Sequence, residues 1–114
     1  MLKHLLFIGL FSLAFPCFAT GPGHLAHKHK QGYIDYYKAK ERGKLIVEKL
    51  VQRGSLPKSW AMANEIEADT KTYKEITEWV ISVYNPAILD RSKRTLYIFL
   101  SLKGDYVAAN FTGE

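Results

Sequence analysis

His24, His27 and His29 stand as His-x-x-His-x-His, and three imidazoles at that spacing can converge on Zn2+, Cu2+ or Ni2+ when the backbone curls around the ion. No histidine follows them in the chain. A catalytic metal needs ligands held on a rigid frame by a second layer of hydrogen bonds, and the adjoining Gly21-Pro22-Gly23 supplies none. These histidines therefore suit capture of a divalent cation better than chemistry upon it. Apart from that cation no cofactor is expected. The chain has 1 cysteine, Cys17, and if it leaves with an export signal, disulfides and thiol chemistry leave with it.

Acid-base chemistry has little to work with. Glu65, Glu67, Asp69, Glu75 and Glu78 are the carboxylates of the middle of the chain, and nothing in their spacing pairs an acid with a base. No glycine-rich phosphate loop, serine elbow or His-Glu zinc helix occurs, so the expectation is a protein that is not an enzyme. Lys38, Arg42, Lys49 and Arg53 recur on one helical face with Leu45 among them. Such a face can meet anionic lipid headgroups, but a solvated surface is the favoured reading. Nucleic acid is not expected as a partner, because its readers usually carry more charge and stacking aromatics, and export takes the chain away from the compartment that holds nucleic acid.

The elements that carry these residues follow from pattern. Lys3, the apolar run Leu5 to Phe15 and the segment Pro16-Cys17-Phe18-Ala19 form the three regions of a signal peptide, with cleavage expected after Ala19 and Thr20 as the new terminus. Residues 20–32 lack any period and read as a flexible leader. Residues 33–114 are then a single domain. The whole chain carries 16 basic and 11 acidic residues, and losing Lys3 leaves a net charge of +4. Nine basic residues against three acidic ones lie in 20–60, and six against eight in 61–114, so the two halves are oppositely biased.

Tyr36, Ala39, Gly43, Ile46, Val47, Leu50 and Val51 trace one face of a helix over 33–53, with Gly54 placed as its left-handed cap. Gly43 inside that stripe predicts a close approach. Beyond Pro57 the period turns to two: a weak strand from Trp60 to Glu67, a turn at Asp69-Thr70-Lys71, and a firmer strand from Glu75 to Tyr84 with Trp79, Ile81 and Val83 on one side. Thr95 to Leu102 alternates most clearly, and Tyr106 to Thr112 returns against it after Lys103-Gly104-Asp105. One amphipathic helix across three or four antiparallel strands is an α+β fold in two layers.

One register sets Tyr97 and Phe99, with Tyr84 and Tyr106 as neighbours, on the face opposite Leu96, Ile98 and Leu100, and which of the two faces carries the helix stays open: the aromatic side can lie under the helix with the aliphatic side exposed, or the reverse. Aromatic side chains on a face expected to be polar predict an interaction surface, for self-association or for a protein of the cell envelope.

The segments Gly54-Ser55-Leu56-Pro57-Lys58-Ser59-Trp60, Glu78-Trp79-Val80 and Thr95 through Gly113 resemble an uncharacterised family of small exported bacterial proteins. The resemblance spans residues 36 to 113 and is most specific in its last nineteen positions. It implies export to the periplasm or beyond, a helix-plus-sheet fold similar in outline to PepSY-type domains, and a histidine-rich start to the mature chain. It implies no chemistry. Two readings remain open: an exported binding module, and a metal-handling accessory protein working through His24, His27 and His29.

Overall fold

A computed structural model describes residues 32–114. The expected signal peptide, the leader and its three histidines lie outside the described residues. Helix α1 (Tyr36–Gln52) packs against a four-stranded antiparallel sheet of β1 (Glu65–Tyr73), β2 (Ile76–Tyr84), β3 (Thr95–Ser101) and β4 (Tyr106–Asn110), whose order in space is their order in the chain. The α+β expectation holds, with four strands.

Helix α1 starts where Asp35 Oδ1 accepts the Lys38 amide at 2.8 Å, satisfying one of the free donors of the first turn. It stops where Gly54 takes φ +82° and the Ser55 amide turns back to the Leu50 carbonyl at 2.8 Å. The buried residues of α1 are Ala39, Gly43, Val47 and Leu50. They meet Ile81 and Val83 of β2, Leu96, Ile98 and Leu100 of β3 and Ala109 of β4, all buried. Trp60 closes one end of this core, 1% exposed, its ring 6.2 Å from that of Phe111.

Two expectations between helix and sheet need correction. The first residues read as a strand are a 3-10 turn, Lys58–Met62, begun at Pro57, and the strand itself starts at Glu65. Asp69-Thr70-Lys71 is the middle of β1, not a turn; the chain reverses at Lys74-Glu75, which carry φ of 51° and 68°. An edge strand has one pairing partner and little to bury, so polar residues that elsewhere announce a turn are tolerated inside it.

The helix seats on the sheet at Gly43. A Cβ there would lie 2.6 Å from Ile81 Cγ2 and 3.2 Å from Ile81 Cβ. Ile81 is fully buried in a central strand and has nowhere to retreat. Gly43→Ala should therefore destabilise the domain by about 1–3 kcal/mol through overpacking, although alanine improves the helix itself by about 1 kcal/mol. Urea unfolding followed by tryptophan fluorescence measures the difference, and a stabilised variant would mean that the helix rides farther from the sheet.

Candidate interaction surface

Strand β1 is an edge of the sheet and the longest stretch of it to pair on one side only. Its register with β2 runs without a bulge from Glu65 against Tyr84 to Tyr73 against Ile76. Because β2 meets β3 only from Glu78 onward, Thr72, Tyr73, Ile76 and Thr77 belong to a two-stranded arm that projects beyond the rest of the sheet. Tyr73 is 49% and Ile76 62% exposed at its tip. The Thr72 and Thr77 hydroxyls share a 2.7 Å hydrogen bond across the arm, and Lys74 Nζ lies 5.6 Å from the centre of the Tyr73 ring.

The two-residue reversal fixes which backbone groups the arm leaves open. In such a hairpin the pair flanking the turn exchanges both hydrogen bonds, so Tyr73 and every second residue before it turn their amides and carbonyls to β2. Ile66, Ala68, Thr70 and Thr72 turn theirs outward. One of these groups is occupied: the Thr70 amide donates to Asp69 Oδ1 at 2.9 Å. Glu65, Glu67 and Asp69 alternate with the outward-facing residues and are exposed. Glu67 Oε1 accepts a 3.3 Å hydrogen bond from the Tyr36 hydroxyl, and no cation among the described residues pairs with any of the three carboxylates.

The aromatic face expected from the sequence is only partly there. Tyr84, Tyr97 and Phe99 do share the side away from α1, since the register sets Tyr84 against Thr95, Ser82 against Tyr97 and Val80 against Phe99. Phe99, however, is fully buried, in a second small cluster with Val80 and Ala108, and Tyr97 packs on it. Its neighbours on both adjacent strands stand directly opposite it, so the centre of the sheet is buried on both faces. The chain end also passes near Tyr97, close enough that a Cβ at Gly113 would lie 3.4 Å from its ring. Tyr106 is on the other side altogether. A register shift between Phe99 and Leu100 adds Val107 to the β4 side, which sets Tyr106 against Leu100 and turns it toward the helix core.

The basic helix face is likewise reduced. Lys38 pairs with Glu41 at 3.5 Å, and Lys49 and Arg53 are exposed beside Leu45. Arg42 leaves that face: its guanidinium Nη1 donates to the Gly104 carbonyl at 2.9 Å and pins α1 to the β3–β4 turn. Among the described residues no three of His, Cys, Asp and Glu gather as metal ligands, and no helix is long and apolar enough to cross a membrane. A hollow beside the start of β1 is lined by Ser59, Met62, Ala63, Asn64, Glu65, Asn85, Pro86 and Ala87; Asn85 and Ser59 already bond to each other there, and the surface it offers is mainly apolar.

Asn85, directly after β2, ties three segments together. It is 3% exposed. Its amide donates to the Arg94 carbonyl, its Oδ1 accepts the Ala87 amide, and its Nδ2 donates to Ser59 Oγ, which joins β2, the following loop and the 3-10 turn. The Asn85-Pro86 pair was the available signal, since asparagine before proline commonly caps its own turn in this way. Asn110, within an Asn-Phe-Thr glycosylation pattern, is 4% exposed and accepts from Thr112 and Gly113, a structural post rather than an accessible acceptor.

The chain belongs to a family of unknown function (DUF6488), whose model matches residues 1–114. No curated protein and no solved structure matches it.

Two outcomes follow from this geometry. Lysine and glutamate at positive φ are both disfavoured, so replacing Lys74-Glu75 by Asn-Gly should stabilise the domain by about 1 kcal/mol in denaturant unfolding, without moving the β1–β2 register seen by NMR. Burial pushes the Tyr106 phenol up to about 12 from its ordinary 10. Its folded state thus holds the proton more tightly than the unfolded chain, so its contribution is complete below about pH 10 and is lost as pH rises toward 12. Melting temperature recorded from pH 9 to 12 should fall less steeply in Tyr106→Phe than in the parent.

Proposed function

We propose that the protein is an exported, non-enzymatic binding module of the bacterial envelope that engages its partner through the β1–β2 hairpin. The observation that carries this reading is the open β1 edge, nine residues long and without proline, glycine or bulge, ending in an arm that exposes Tyr73 and Ile76. Isolated edges of that length are usually shortened, twisted or covered, because they pair with other chains. Export is supported by the signal-peptide pattern of residues 1–19, and the partner is accordingly a protein of the envelope or a second copy. The contact surface is moved by this reading from the Tyr97 and Phe99 face to the neighbouring edge, since Phe99 is occupied in packing.

Metal handling is the second reading and rests on His24, His27 and His29. Zinc or copper titration of the mature chain, with and without residues 20–32, separates the two: loss of the leader removes a metal function and leaves hairpin binding intact.

A photoreactive benzoylphenylalanine in place of Ile76 should give a discrete crosslinked species in the exported protein, whereas the same group in place of Leu45 on α1 should give none. Adducts of equal yield from both positions, or none from Ile76 in a folded and exported protein, would remove the hairpin as the contact. Terminal sequencing by mass spectrometry should find Thr20 first, and a terminus at Met1 or at a lipidated Cys17 would defeat cleavage after Ala19.

A further inference from the structure

We infer that the β1 edge takes an extended, basic peptide segment of another protein as a fifth, antiparallel strand. The inference rests on the hairpin being the contact site and names what fits there. The outward amides and carbonyls of Ile66, Ala68, Thr70 and Thr72 recur every second residue, a spacing that an extended backbone matches and a helix does not. Within this ladder Glu65, Glu67 and Asp69 occupy the alternate positions, where directly opposed residues form the closer, non-hydrogen-bonded pairs. An incoming strand with Lys or Arg opposite Glu65, Glu67 and Asp69, and an uncharged residue opposite Lys71 in the same row, therefore sets three cations against three carboxylates on one face while its intervening residues complete the backbone ladder.

A second copy of the chain fits less well. Pairing β1 with itself over its full length about a two-fold axis sets Glu67 against Lys71, leaves Glu65 opposite Tyr73 and drives Asp69 against Asp69 of the other copy. A basic strand answers all three carboxylates; the copy answers one. Asp69 has a further part. Its carboxylate occupies the Thr70 amide while the edge is empty, a local cap that an incoming carbonyl must displace and whose charge an incoming cation then meets.

The test uses the mature chain and the nine-residue peptide Ser-Val-Ser-Val-Lys-Val-Lys-Val-Lys, whose antiparallel pairing places its three Lys opposite Asp69, Glu67 and Glu65 and a Ser opposite Lys71. In NMR titration the amide resonances of residues 66–72 should shift, and the Thr70 amide should gain protection from hydrogen exchange. N-methylation of the Val residues, whose amides point at β1, should abolish binding, while N-methylation of the Lys residues, whose amides point away, should preserve it. Glu65→Gln, Glu67→Gln and Asp69→Asn together should weaken the peptide roughly tenfold, and a Glu-Val peptide should not bind. Equal loss with either N-methylated peptide, or shifts confined to side chains without exchange protection, would reduce the contact to unspecific charge attraction and overturn the inference. Concentration-dependent dimerisation lost in Thr70→Pro, which removes an outward amide and no β1–β2 hydrogen bond, with no peptide binding, would give the edge to a second copy. A crosslinked Ile76 partner that lacks any basic extended segment would overturn this inference and leave the hairpin as contact site standing.

Discussion

The depth at which α1 settles onto the sheet governs the rest of the molecule, and a missing side chain sets that depth. At Gly43 the helix backbone comes against Ile81 with no room for a methyl group. The closeness lets the short side chain of Ala39 be fully buried and lets Arg42 reach the Gly104 carbonyl. The same closeness brings the Ile34 amide to the Leu102 carbonyl at 2.9 Å, so the chain entering the helix is fastened to the strand end below it. A larger residue at position 43 would lift all three contacts together.

A single helix of 17 residues has one narrow apolar stripe, and this one lies nearest β1 and β2 while its buried residues share one core with β2, β3 and β4. Strand β4 is drawn in by Ala108 and Ala109, small residues that let Phe99 and Ile98 pack from opposite faces. Strand β1 lies beside the helix yet buries little: Ile66 and Ala68 lean on the core while the remaining seven residues are exposed. Its polar composition, its open backbone and its placement at the edge are therefore one circumstance, the outcome of dividing little apolar surface among four strands.

Much of this was legible in residue spacing. The buried face of α1, the Gly54 cap and the alternation of Leu96, Ile98 and Leu100 all express a period that burial imposes directly. Where burial is absent the period fades, which is why Asp69-Thr70-Lys71 reads as a turn and the true reversal at Lys74-Glu75, built from two residues that shun positive φ, leaves no mark. Tyr106 fails for a different reason. Alternation predicts its face only if the strands stay in step, and the shift opposite Leu100 is a property of the pair that neither strand shows alone. Arg42 is similar, since its partner is a backbone carbonyl sixty-two residues away. The open edge of β1 became visible only once the order of strands was known.

That order also has a kinetic meaning. Strands that follow one another in space as they do in the chain close through connections of two, ten and four residues, so the sheet assembles by short loop closures whose entropic cost is small. The helix is the exception. Gly43 waits for Ile81, thirty-eight positions later, and during synthesis α1 emerges well before the surface it needs. The contacts of α1 and its entry segment with the sheet, from Gly43 to Ile81 up to Ile34 to Leu102, therefore span far more chain than any pairing between neighbouring strands and carry the larger loop-closure cost.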